Sequence, residues 1–156
     1  MTQQQQDDVR FMQEALREAE SAFDAGEVPI GAVAVENGII IARGHNRVEE
    51  LASVSSHAEF QVLEQLEKLR GDWRMQGITL YVTKEPCFMC SGMLVNARFD
   101  RIVYGLEDPR TGGCGGSINI PAHPENLWHP EITGNVLANE SKSLIQNFFK
   151  KRRREG

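Results

Sequence analysis

Cysteine is scarce in this chain of 156 residues: Cys87, Cys90 and Cys114 are all it has. An odd, low count argues against a disulfide framework and for a reducing compartment, so the cytoplasm is the expected location. Long apolar runs are missing as well. The strongest, over residues 30–35 and 39–42, fall far short of the ~18 residues that a membrane span requires, so no membrane partner is expected. The N-terminus lacks the cationic and apolar regions of a signal peptide. It is glutamine-rich and acidic over Gln3, Gln4, Gln5, Gln6, Asp7 and Asp8, and residues 1–7 read as a disordered leader. Positive charge is in deficit: 17 Lys and Arg face 22 Asp and Glu, for a net charge of −5. Five of the 17 cations stand in one run, Lys150, Lys151, Arg152, Arg153 and Arg154, leaving 12 against 22 elsewhere. A body that acidic does not bind polyanions indiscriminately, so any nucleic-acid contact is local to the tail and a few loop cations. On its own the tail also reads as a solvated helix end whose cations suit the C-terminal dipole.

What is present is enough apolar residue, 40%, for one core and a single domain placed at residues 8–154. Val9, Met12, Leu16, Ala19 and Phe23 have the spacing of an amphipathic helix over about 8–25, and Gly26 is placed to end it. Two apolar runs then flank Asn37-Gly38, the signal of a β-hairpin with a type I′ turn, and their continuous apolarity implies a sheet covered on both faces. A second helix is expected from near His57 to Leu69 with Gly71 as its stop, then a strand over 78–83. A third helix begins with Pro86 in its first turn and runs to about Asn96, and a strand follows over 101–104. Strand, helix, strand in that order implies a parallel pair joined by a crossover, hence a mixed sheet flanked by helices. Residues 105–130 form a long loop with glycines at 112, 113, 115 and 116, and loops of that length are often functional. A last helix is expected over 139–154.

The chemistry concentrates in two short stretches, His57-Ala58-Glu59 and Glu85-Pro86-Cys87-Phe88-Met89-Cys90. A C-x-x-C alone is compatible with redox, metal-binding or purely structural roles. Three apart on a helix, Cys87 and Cys90 share a face, and in its first turn free N–H groups and the positive dipole end favour thiolate, the form that binds zinc. His57 and Glu59 point roughly 200° apart on a regular helix. They can cooperate only where the metal sits beyond the helix start, before the first residue enters helical register. His57, Cys87 and Cys90 then make three protein ligands, which leaves a fourth tetrahedral position for water, the mark of a catalytic zinc. Such a zinc brings its water's pKa to about 7, and Glu59 is free to take and deliver protons. The competing residues for a fourth ligand are Cys114, His45, His123 and His129. Cys114, among glycines, is expected to be a free thiol in a flexible loop.

His-x-Glu followed by Pro-Cys-x-x-Cys is the signature of zinc nucleobase deaminases, and the chain resembles the bacterial tRNA-specific adenosine deaminases in particular. The resemblance extends from the first helix nearly to the C-terminus. It includes Pro29-Ile30-Gly31-Ala32-Val33, Asn46-Arg47, Arg101-Ile102-Val103-Tyr104-Gly105, Asp108, Thr111-Gly112 and Phe148-Phe149 before the basic tail. It implies a three-layer α/β/α sandwich with a five-stranded mixed sheet, of the cytidine-deaminase kind, with one Zn²⁺ per subunit in a homodimer. It further implies conversion of the wobble adenosine of a tRNA anticodon loop to inosine. By the same resemblance Asn46, Asp108, Val28, Pro29 and Ala58 contact the flipped nucleotide, with Asp108 at its ribose. Lys150, Lys151, Arg152, Arg153 and Arg154 grip phosphates of the anticodon stem.

The chain departs from the family at Leu127-Trp128-His129-Pro130, in the longer glycine loop with Pro109 and Arg110, and at Ser53-Val54-Ser55-Ser56. Those segments bear on RNA contacts, not on zinc chemistry. Two rival readings therefore stay open: a deaminase of free nucleobases or nucleosides of the guanine or cytosine type, and a non-catalytic, zinc-stabilised RNA-binding domain.

Overall fold

The structure, a computed structural model, describes residues 1–156. Ten elements follow one another: α1 (Gln3–Asp24), β1 (Gly31–Glu36), β2 (Ile39–His45), α2 (Val48–Leu51), α3 (Ala58–Arg70), β3 (Thr79–Lys84), α4 (Phe88–Asn96), β4 (Arg101–Leu106), β5 (Glu131–Thr133) and α5 (Ala138–Glu155). The strands form one sheet in the order β2-β1-β3-β4-β5. β1 is antiparallel to β2 and β3, whereas β3, β4 and β5 run parallel. Alternate side chains of one strand enter opposite layers. Ala32 and Ala34 face α3 and α4 with Leu80, Val82, Ile102 and Leu94, while Val33 and Val35 face α1 with Tyr81, Val103 and Phe11. The three-layer mixed sandwich and its five strands are as expected. The hairpin turn is as expected too: Asn37 and Gly38 both have positive φ, 53° and 75°, as a type I′ turn requires.

The N-terminus corrects the reading of residues 1–7 as a disordered leader. Helix α1 begins at Gln3, where the Thr2 hydroxyl accepts from the Gln5 amide and the Gln5 side chain accepts from the Thr2 amide. This reciprocal capping box satisfies two otherwise orphan N–H groups. The buried face of α1 is also rotated from the expected one. Phe11, Met12, Ala15, Ala19 and Ala22 are buried, with Val9, Leu16 and Phe23 at the flanks. Small residues face the sheet because the helix lies almost on it: a Cβ on Gly31 would sit 2.2 Å from the Ala15 carbonyl oxygen. Phe23, off that face, meets Phe148 of α5 edge-on, ring centroids 5.7 Å apart.

Asp8 is buried on the same helix. Its carboxylate accepts from the Tyr81 hydroxyl at 2.8 Å and from both terminal nitrogens of Arg101 at 2.8 and 2.7 Å. That bidentate pair ties α1 to the start of β4. No helix is long and apolar enough to cross a membrane.

Candidate active site

Helices α3 and α4 both start at the same place, and each is capped by a residue that carries chemistry. His57 is the N-cap of α3 and Cys87 the N-cap of α4, both with extended backbone (φ −73°, ψ 158°; φ −69°, ψ 178°). His57 is thus outside helical register, which removes the angular conflict with Glu59 in the first turn. Pro86 stands just before the cap of α4, not inside its first turn. The His57 Nδ1 lies 3.7 Å from Cys87 Sγ and 3.5 Å from Cys90 Sγ, and the three donor atoms all fall within 4.8 Å of one another. Tetrahedral zinc with nitrogen at ~2.05 Å and sulfur at ~2.3 Å places those ligand atoms about 3.6 Å apart. The donor set and its spacing fit that ion.

None of the competing fourth ligands joins the group. The Cys114 sulfur lies 3.3 Å from Ser91 Oγ, His45 faces Glu18, His123 Nδ1 accepts from the Glu125 amide, and His129 donates to the Pro121 carbonyl. Cys114 is a free thiol as expected, and it is buried although it lies in the loop between β4 and β5.

Electrostatics at the group follow from two sulfurs sharing hydrogen bonds at low exposure. Hydrogen bonding from the Cys90 thiol, reinforced by His57 and the Cys90 amide, pulls the Cys87 thiol down to about 4. Cys90 moves the other way, since it donates to Cys87 and is buried. The hydrogen bond to Cys87 raises His57. Glu59, 4% exposed, is pushed up to about 7, chiefly by burial. A buried carboxyl group that titrates near neutrality beside candidate metal ligands has the pKa a general acid and base needs.

Beside the group opens a cleft of about 250 Å³, lined among others by Val28, Asn46, His57 and Arg152. Asn46 is buried, and its Oδ1 accepts from the Ala58 amide at 2.9 Å, which fastens it to the first residue of α3. Pro29 and Ala58 are buried close to this wall. Arg152 arrives from the far end of α5, whose Phe148 packs against Phe23.

A family model for MafB19-like deaminases matches residues 6–153. The tRNA-specific adenosine deaminase of Bacillus subtilis is 43% identical over 149 residues, which cover 95% of this chain and 92% of that one. The chain belongs to the tRNA-specific adenosine deaminase family. A solved structure from a study of A-to-I editing by tRNA:A34 deaminases superposes with a TM-score of 0.83 at 39% identity, covering 86% of this chain and 98% of its own. A Bacillus subtilis guanine deaminase structure is more distant, with a TM-score of 0.59 at 32% identity, covering 67% of this chain and 64% of its own.

Within this deaminase the remaining site expectations separate. Asp108 is not brought to the cleft. Its Oδ1 accepts from the Arg110 and Thr111 amides, and its Oδ2 accepts from the Thr111 hydroxyl and pairs with Lys84 at 3.1 Å. The sequence Asp-Pro-Arg-Thr is itself a turn signal with the Asp side chain as local acceptor. All five tail cations are exposed, and of them only Arg152 lines the cleft. The altered segment 127–130 is tied to the body through Trp128, which donates to the Phe99 carbonyl at 2.7 Å.

Sequence reasoning misses two buried carboxylates. Glu27 accepts from the amides of Glu49 and Glu50 and so caps α2, one wall of the cleft. Glu85 accepts from three amides of the glycine loop. The donors lie between 22 and 31 residues away along the chain, so no local pattern marks either role.

Proposed function

We propose that this deaminase hydrolyses adenosine to inosine at the wobble position of a tRNA anticodon loop, releasing ammonia. His57 Nδ1, Cys87 Sγ and Cys90 Sγ hold one Zn²⁺, which when bound supplies the Lewis acidity that lowers a water's pKa to about 7. Glu59 takes the proton of the attacking water, delivers it to a ring nitrogen of adenine and shuttles a second proton to the departing amine. Asn46 presents its amide to the extruded base, Val28, Pro29 and Ala58 close the apolar side, and Asp108 acts by shaping its loop. Extruding the base costs a few kcal/mol, least where it is poorly stacked, as in a loop. Arg152 and the exposed cations beside it meet the RNA backbone. Phe88 and Met89, exposed at the first turn of α4 (43% and 38%), support a homodimer, and reduced zinc thiolates suit the cytoplasm.

The observation that carries this reading is the buried Glu59 carboxyl beside three metal-type donors, in a chain 43% identical to a tRNA-specific adenosine deaminase. Glu59→Ala tests it. The variant is expected to keep its zinc and its fold while inosine formation falls by ~10²-fold or more. Undiminished turnover in zinc-loaded Glu59→Ala contradicts the mechanism, and a wild-type protein that binds tRNA without forming inosine supports the non-catalytic reading. The guanine deaminase likeness keeps one rival in view, a free-base deaminase, which the basic tail separates from the first reading.

A further inference from the structure

Glu85 stands at the end of β3, two residues before Cys87, and is 4% exposed. Its carboxylate is met by three backbone N–H groups. Asp108 donates to Oε1, and Cys114 and Gly116 donate to Oε2, each at 2.9 Å. Three donors converging on one carboxylate make a strong, charge-assisted anchor. The loop has glycine where it does because of this approach: a Cβ at Gly112 or Gly116 would lie 2.3 Å from a carboxylate oxygen.

The other side of that loop lies on the chain segment that carries a metal ligand. Gly113 donates to the Pro86 carbonyl at 2.8 Å, and Gly112 pairs through its backbone with Cys87. Ser91 Oγ donates to the same Pro86 carbonyl at 3.1 Å and touches Cys114 Sγ. Contacts thus run without a gap from the Glu85 carboxylate through residues 108–116 to the Pro86–Cys87 turn at the start of α4.

We propose that Glu85 is a positioning residue for the metal centre: by pressing the glycine loop onto Pro86 and Cys87, it holds the Cys87 sulfur where it can share an ion with His57 and Cys90. This rests on the reading of those three residues as zinc ligands. A carboxylate is needed because two acceptor oxygens serve three donors. Glutamine has one acceptor oxygen and would set its own N–H₂ against an amide N–H, so at least one anchor is broken.

The test compares metal-stripped wild-type protein with Glu85→Gln, each titrated with Zn²⁺ against a chromophoric chelator and with Co²⁺ by absorption. The expected result is ~10-fold or more weaker metal binding in the variant and a displaced thiolate-to-cobalt band, whether or not the unfolding midpoint of the metal-free protein falls as well. Equal affinity and an identical cobalt spectrum overturn the proposal, also where stability falls, since a mere loop staple moves stability alone. A wild-type protein that binds neither ion brings down the zinc reading itself, a separate outcome. A second measurement needs no variant. Coupling is reciprocal, so removing zinc from the wild type should speed amide hydrogen exchange at Cys114 and Gly116 by ~10-fold; unchanged exchange at both overturns the proposal.

Discussion

Glu59 and Asp108 are both carboxyl groups, yet their surroundings push them in opposite directions. Burial lifts Glu59 to about 7, and a divalent cation held by the adjacent donors would favour its anion and so ready it as a base. Burial also works against the Asp108 anion, but the Arg110 amide, the Thr111 hydroxyl and amide, and the Lys84 ammonium outweigh it and hold that carboxyl well below its ordinary 3.8. A depressed folded-state value stabilises the fold above the unfolded pKa, and that stability is lost as pH falls through the lower value. Asp108→Asn should therefore be less stable than wild type at pH 6, with the gap closing as pH drops from about 4 toward 2. Urea unfolding of both proteins across that range checks it; a constant gap contradicts the assignment. At this scale the sequence is legible where chemistry demands residue types at short spacing, as in His57-x-Glu59 and Cys87-x-x-Cys90. Asp108 is ambiguous in the sequence because a ribose contact and a turn acceptor need the same residue type. Glu27 and Glu85 are invisible there because their partners come from other elements.

Among elements, α1 and α5 answer for the two ends of the chain. The glutamine run resembles a disordered leader, although Thr2-x-x-Gln5 is a capping-box pattern and Asp8 a buried anchor. Asp8→Ala would leave the Arg101 guanidinium, 11% exposed, with only the exposed Glu131 carboxylate 3.7 Å away as counter-charge and the Thr133 hydroxyl as acceptor, and would strip the Tyr81 hydroxyl of its acceptor. Breaking a buried pair from one side costs about 3–5 kcal/mol, so denaturant titration should find a loss of that size; a loss under ~1 kcal/mol would show that Arg101 is re-solvated. The span of α5 is legible over 139–154, but nothing in its sequence says where its end lies. That Arg152 reaches the cleft with Asn46 and His57 depends on Phe148 docking against Phe23, a contact between opposite ends of the chain. Deleting residues 150–154 should weaken tRNA binding and flatten its salt dependence, by roughly 0.7–0.9 in log–log slope for each phosphate no longer neutralised. Binding at ~50–200 mM salt reads this out, and an unchanged slope favours the free-base deaminase.

For the whole molecule, the layer architecture follows from alternating helices and strands, while the sheet order does not. Periodicity locates four strands but cannot say that β1 pairs with β3, nor find the three-residue β5, because pairing is set by packing across the sheet. That order brings the starts of α3 and α4 together at one end of the sheet, so that three donors and one carboxyl group meet. The most direct measurement of what this arrangement does is mass spectrometry of a panel of tRNAs and free nucleobases after incubation with the zinc-loaded protein. The expected result is a gain of a single mass unit, amine to carbonyl, at the wobble adenosine of a tRNA, with free bases unchanged. Deamination of free guanine or cytosine with every tRNA left intact would contradict it.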